Sequence, residues 1–200
     1  MLKVGLTGGL ACGKSFVGSE LARLGCLLIR ADELGHEVLE PGGAAYEGVV
    51  REFGRGILDG EGRIDRPRLA AEVFDKPERL AVLNSLVHPP VQRREEELIA
   101  AFAAVEPQGI AVVEAAILIE TGSYKRFDRI VLVVCGERHQ LERAVGRGAT
   151  NEEVLARVRR QMPLAEKRKF AHYVIDSSGD KEDTLRQTRE VYEQLRREAQ

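Results

Sequence analysis

Cysteine is scarce in this chain of 200 residues, and the three present, Cys12, Cys26 and Cys135, lie far apart. Neither a disulfide framework nor a cysteine-ligated zinc site is expected from such a set. Long apolar runs are missing too. No stretch approaches the ~18 residues of a membrane span, and the opening Met1-Leu2-Lys3-Val4-Gly5-Leu6 reaches glycines before it has the length of a signal peptide. A cytoplasmic, reducing location is the resulting expectation. Nor does one charge dominate: 30 Lys and Arg against 32 Asp and Glu leave a net charge of −2. Such a chain has no global basic field, so neither nucleic acid nor a membrane is expected as a partner. Internal repeats and low-complexity tracts are absent as well.

What is present is the balance of a folded protein, 44% hydrophobic and 31% charged, at a length that suits one large domain or a domain with insertions. Residues 2–6 read as a short buried strand entering a glycine loop. After it, Val17, Leu21 and Leu24 recur at helical spacing until Gly25, and Cys26-Leu27-Leu28-Ile29 forms a second apolar run. Strand, helix and strand within about thirty residues is the βαβ pattern of a parallel sheet. Ile110–Val113, Ile130–Val134 and Tyr173–Ile175 read as further strands covered on both faces, and residues 180–200 as an amphipathic helix with Leu185, Val191 and Leu195 on one side. Between 54 and 108 the texture changes: glycines at 54, 56, 60 and 62 give way to Leu69, Val73, Leu80, Leu83 and Leu86 at helical spacing.

Gly8-Gly9-Leu10-Ala11-Cys12-Gly13-Lys14-Ser15 matches G-x-x-x-x-G-K-[ST] at every fixed position. Glycines let backbone N–H groups of such a loop turn inward around phosphate oxygens, and the helix that follows adds its partial positive charge. Lys14 supplies a cation for the β- and γ-phosphates of ATP, and the Ser15 hydroxyl is placed to hold Mg²⁺. A strand before the loop and a helix after it satisfy the motif's structural context. Cys12 reads as a small side chain facing either solvent or core, with a thiol pKa lowered by the helix N-terminus and the lysine.

A phosphate loop alone does not say what is done with the nucleotide. No Asn-Lys-x-Asp segment reads guanine, and the strand at Ile110–Val113 runs into Glu114-Ala115-Ala116 rather than the Asp-Glu of a motor ATPase. A small-molecule kinase needs a carboxylate near the acceptor hydroxyl, a substrate-binding insertion and an arginine-bearing lid. Asp32 follows the second strand at the ligand-binding edge of an α/β sheet, where it would either accept the acceptor hydroxyl's proton or orient Mg²⁺ water; as an N-cap before Glu33-Leu34-Gly35-His36 it has an equally good structural reading. Arg143 and Arg147, four apart on one helical face from about Glu137, are read as lid arginines that neutralise phosphoryl charge, against a solvated-face alternative. Arg157, Arg159, Arg160, Lys167, Arg168 and Lys169 continue the basic series, most of them as charges that keep a surface wet. Asp176-Ser177-Ser178-Gly179 is either a plain turn or a backbone seat for a purine.

Taken together, these residues resemble the dephospho-CoA kinase family. Leu6-Thr7-Gly8-Gly9 with Gly13-Lys14-Ser15 is similar to that family's opening, and Ala31-Asp32, Val38 and Glu40-Pro41-Gly42 to the segment after its second strand. Phe53-Gly54, Asp59-Gly60, Ile64-Asp65-Arg66, Val73-Phe74 and Leu86-Val87-His88-Pro89 follow its substrate region, then Leu118, Glu120, Arg143, Arg147, Gln161 and 171–175 with Gly179. The resemblance implies an α/β P-loop kinase fold: a parallel sheet flanked by helices, with a helical substrate-binding insertion and a lid. In this reading 1–34, 108–136 and 171–200 form the nucleotide-binding core, 35–107 the helical region and 137–170 the lid of one domain.

It also implies transfer of phosphate from ATP to the ribose 3′-hydroxyl of dephospho-CoA, the last step of CoA synthesis, by a monomer or weak oligomer. Asp32 becomes the general base, with Lys14 and Arg147 as catalytic cations. ATP contacts fall to Gly9, Ala11, Cys12, Gly13, Lys14, Ser15, Phe16, Arg143, Ser178 and Gly179, and Mg²⁺ to Ser15. Thr7, Asp32, His88 and Leu118 are the substrate-binding candidates. Phe16 stands where the family usually has a threonine, and His172 where it usually has an aspartate. Without the resemblance, His88 before Pro89-Pro90 reads as a helix-end residue.

Overall fold

The computed structural model describes residues 1–146, 150, 152, 154, 158 and 161–200. Arg147, Arg157, Arg159 and Arg160 lie outside the described residues. The described residues form two compact units, Met1–Ile29 with Ile99–Gln200, and Arg30–Leu98.

The first unit is built on five strands, β1 Leu2–Gly8, β2 Leu27–Arg30, β3 Ile110–Glu114, β4 Arg129–Val134 and β5 Tyr173–Asp176, in the order β2-β3-β1-β4-β5. Strand β1 is central and pairs in parallel with β3 (Leu6 opposite Glu114) and with β4 (Gly8 opposite Val133). Strand β4 pairs in parallel with β5, with Val134 opposite Asp176. All five residues of β3 are buried, as a run apolar at consecutive positions requires when both faces are covered. Strand β2 sits at the sheet edge, and only Ile29 of its four residues is fully buried.

Helix α1, Lys14–Arg23, follows the loop after β1 and buries Val17 and Leu21 in the sheet's main apolar cluster. Helix α6, Glu137–Val145, follows β4, and the short α7 spans Leu164–Lys167. The final helix α8, Lys181–Ala199, is capped by Asp180, whose carboxylate accepts the Asp183 N–H. Its buried stripe is Thr184, Thr188, Val191 and Leu195, so two threonines stand where a purely apolar pattern places Leu185. Each threonine hydroxyl donates to the carbonyl four residues back, which makes its burial tolerable.

His172 shows how a different residue can complete a parallel ladder. Its N–H donates to Ile130 O at 2.9 Å, and its ring Nδ1 accepts the Ile130 N–H at 3.0 Å. The imidazole therefore accepts a backbone N–H as a carboxylate would, locking β5 to β4.

In the second unit the helices are α2 Ala31–Glu37, α3 Tyr46–Phe53, α4 Arg66–Val73 and α5 Pro77–Val105, the last continuing into the first unit. Helix α5 passes through Pro89 and Pro90 without ending, so His88 is not a helix-end residue. Proline removes an N–H and crowds the preceding turn, but buried Val91, Glu95 and Ile99 recur every four residues along this helix and hold it. Asp32 is not an N-cap either: Arg30 occupies the cap position of α2, and Asp32 lies inside the first turn. Its charge still suits the positive end of the helix.

Candidate active site

The loop between β1 and α1 is shaped by two glycines. A Cβ on Gly8 would meet Val133 O at 2.3 Å, so strands β1 and β4 approach too closely for any side chain there. Gly13, with φ of 84°, turns the chain left-handed into α1, a conformation glycine adopts without strain. Ala11 also has positive φ, at 55°. The Lys14 ammonium folds back over the loop it follows, donating to Gly9 O at 3.0 Å and Gly8 O at 3.4 Å.

Ser15, one residue into α1, donates its hydroxyl to Glu114 Oε1 at 2.7 Å. Glu114 is the last residue of β3 and is buried. Sequence reading passed over it as the wrong ending for a motor ATPase. A lone carboxylate closing a fully apolar strand, at the sheet edge that also carries the phosphate loop, was the available signal. A hydroxyl and a carboxylate so placed are hard oxygen donors of the kind Mg²⁺ takes alongside phosphate oxygens.

On the other side of the loop, the segments that follow β4 and β5 supply three groups. Ser177 is buried, donates its hydroxyl to Cys12 O at 2.8 Å and lies beside Gly13. Arg143 on α6 reaches the same place: its guanidinium donates to Ser177 Oγ at 3.0 Å and Ser177 O at 2.6 Å, and a Cβ on Gly13 would stand 4.0 Å from it. Arg143 is thus brought to the phosphate loop rather than left as a solvated charge. Ser178 Oγ accepts the Gly136 N–H at 3.0 Å, and the Ser178 N–H donates to Asp176 Oδ1 at 2.8 Å, so the turn at 176–179 is held from β4.

Cys12 faces the core and is fully buried. The Cys135 thiol donates to its sulfur at 3.2 Å, and Gln140 Nε2 donates at 3.0 Å. The Cys135 hydrogen bond, helped by Gln140 and the Lys14 charge and opposed by burial, draws the Cys12 thiol pKa down to about 6. Cys135, whose proton is shared with that sulfur, shifts upward, as does Cys26, pushed to about 12 by burial. The lowering of Cys12 therefore comes first from a sulfur neighbour, 123 positions away in sequence, that spacing alone did not reveal.

Thr7 and Leu118 are both buried, and the Thr7 hydroxyl donates to Ala116 O at 3.2 Å. The same carbonyl accepts Lys167 Nζ at 2.8 Å, which also pairs with Glu120 Oε1 at 2.8 Å. Lys167 is fully buried, and desolvating an ammonium costs several kcal/mol unless such partners surround it. Sequence reading missed it inside a run of basic residues. Phe16 is 38% exposed, so it is not a packing residue of α1. In the second unit, Asp32 is exposed on α2 and His88 half-buried on α5, where burial lowers the imidazole pKa.

A dephospho-CoA kinase family profile matches residues 2–183. The chain belongs to the dephospho-CoA kinase family. It is 39% identical to the dephospho-CoA kinase of Aquifex aeolicus over 198 residues, covering 99% of this chain and 100% of that one. Among solved structures it is similar to TT1252 from Thermus thermophilus, with a TM-score of 0.83, 34% identity and 97% of each chain covered. The dephospho-CoA kinase from Campylobacter jejuni shares the fold, with a TM-score of 0.73 at 24% identity over 99% of this chain and 98% of that one. Among the described residues no helix is long and apolar enough to cross a membrane.

Proposed function

We propose that this chain transfers the γ-phosphoryl group of ATP to the ribose 3′-hydroxyl of dephospho-CoA, giving CoA and ADP. The observation that carries this reading is the family match over residues 2–183, in a chain whose phosphate loop is already assembled around Lys14, Ser15 and Glu114.

Gly9, Ala11, Cys12, Gly13, Ser15 and Phe16 are assigned to the phosphate oxygens, the Cys12 and Phe16 N–H groups exchanging their bonds to Gly9 O and Gly13 O, and Lys14 moves from the Gly8 and Gly9 carbonyls to the β- and γ-phosphates. Ser15, with Glu114 behind it, would hold Mg²⁺, which when bound neutralises charge across the β- and γ-phosphate oxygens. Arg143, fixed by Ser177, adds positive charge beside Gly13, and Ser178 and Gly179 form the adenine side. Arg147 is assigned to the lid as the cation that meets the transferred group.

Asp32 is the general base. Its carboxylate takes the proton of the 3′-hydroxyl as that oxygen bonds the γ-phosphorus, while the bond to the β–γ bridging oxygen breaks and ADP leaves with the electron pair. His88 and Leu118 belong to the coenzyme side. Thr7 serves it indirectly, since its hydroxyl secures the Ala116 carbonyl of the segment that carries Leu118. We assign the protein to the cytoplasm and to action without a stable oligomeric partner.

The test is ADP release from ATP across a panel of acceptors. Dephospho-CoA should drive it in a Mg²⁺-dependent way, and CoA, whose 3′-hydroxyl is already phosphorylated, should not. Turnover with a nucleoside monophosphate or a sugar acid instead would overturn the acceptor, and absence of any turnover would point to a nucleotide-sensing role.

A further inference from the structure

The peptide between Gly9 and Leu10 is gripped at both ends. Its carbonyl, Gly9 O, accepts the Lys14 ammonium at 3.0 Å, and its N–H, on Leu10, donates to Gln161 Oε1 at 3.0 Å. The C=O and N–H of a trans peptide point in opposite directions. A side chain that holds the N–H therefore also aims the carbonyl. Gln161 lies 151 positions from Leu10, within the stretch 137–170 read from the sequence as a lid, and is itself braced. Its own N–H donates to Val158 O at 3.1 Å, and the next N–H, Met162, donates to Glu120 Oε1 at 3.1 Å. Glu120 is fixed in turn by the buried Lys167 at 2.8 Å. Around the same loop tip, Leu10 and Ala11 pack with Leu141, Ala144, Val154 and Val158.

We propose that Gln161 is a positioning residue for nucleotide binding: by holding the Leu10 N–H it sets the Gly9–Leu10 peptide, and so the carbonyl from which Lys14 is presented to phosphate. It rests on the reading of the loop as an ATP site. An ammonium held near its working position loses little freedom when the nucleotide arrives, and a loop peptide free to rotate would surrender that advantage. Gln161 touches no reacting atom in this scheme; it works through the peptide and Lys14.

The test is a double-mutant cycle on ATP affinity, measured by titration calorimetry without any acceptor. Gln161→Met keeps the side-chain length and removes the strong acceptor, and losing one such hydrogen bond should weaken ATP binding by about threefold to tenfold. If Gln161 acts through Lys14, the same substitution in a Lys14→Ala background should cost less than about twofold, because coupled residues are non-additive. Equal losses in both backgrounds, or no loss in the first, would overturn the proposal. Thermal unfolding of each variant confirms that the fold is kept, and Gln161→Asn, too short to reach Leu10, runs the same cycle should Gln161→Met not fold. Since no acceptor is present, the result is independent of whether dephospho-CoA is the alcohol; failure of the wild-type protein to release ADP with it would sink the acceptor reading alone.

Discussion

The two units of this molecule hold their polar side chains in different ways. In the unit formed by 1–29 and 99–200, the contacts that build the site join residues far apart in sequence: Ser15 to Glu114, Cys12 to Cys135, Leu10 to Gln161 and Lys167 to Ala116. Half of their members, Glu114, Cys12, Cys135 and Lys167, are buried. In the unit 30–98, many of the ion pairs are local and exposed, such as Arg63 with Asp59 and Arg68 with Asp65. Exposed pairs contribute little, because water screens both charges and long side chains lose entropy in meeting. One unit thus carries prearranged chemistry, and the other presents Asp32 and His88 from helices whose own polar contacts are mostly superficial.

The largest effect that tests this contrast comes from Asp32, since a residue in the loosely tied unit is assigned the proton transfer. Asp32→Asn should lower kcat by about 10²- to 10⁴-fold, with ATP and dephospho-CoA affinities within a few-fold of wild type in steady-state and binding measurements. A kcat near wild type would return Asp32 to a helix-turn residue and leave all the chemistry in the first unit.

Next is the price in stability of a buried charge. Lys167→Met leaves Glu120 without its cation and should cost about 3 kcal/mol, the low end for a broken buried pair because the Glu120 side chain is 20% exposed. Arg63→Met, in the other unit, should leave the urea midpoint unchanged. Equal midpoint shifts for the two variants would erase the distinction drawn between the units.

Phe16→Thr is a smaller change, confined to the loop. It adds a hydroxyl able to donate to a phosphate oxygen, against the loss of the part of the ring that is covered, Phe16 being 38% exposed. ATP should bind more tightly, by up to about tenfold in calorimetry. Unchanged affinity would show that the backbone N–H groups already saturate the phosphate.

The smallest effect is a pH dependence. Glu20, buried on α1, is held to a pKa of about 2, first by Arg23 and then by Arg189 from α8. A carboxylate whose folded pKa is depressed adds stability above its unfolded value, and that stability is lost as pH falls from about 4.5 towards 2. Urea midpoints of wild type and Glu20→Gln should therefore converge over this window, and a constant gap would mean that the carboxylate's charge is not what α1 and α8 share.

Much of this architecture was legible in the residues. The strands β1, β3, β4 and β5 were read from consecutive apolar positions, and the phosphate loop from its own spacing, because both are local patterns. The helical reading of 54–108 was right in kind, but the break expected at Pro89-Pro90 was not, since burial along α5 outweighs the lost N–H groups. Glu114 and Lys167 were not legible as site residues, Gln161 figured only in the resemblance, and Ser177 only in the turn at 176–179. Each is an ordinary polar residue in its own stretch and gains meaning only from a partner on another strand or helix.

The sequence by itself determined the loop, the strand–helix order and the family, since short-range sterics, periodicity and motif spacing are properties of neighbouring residues. Tertiary structure alone decided that Arg143 turns to Ser177, that Cys12 meets Cys135, and that Gln161 holds the peptide facing Lys14. The physical reason is that parallel pairing of β1 with both β3 and β4 brings strand ends, distant along the chain, to one edge of the sheet.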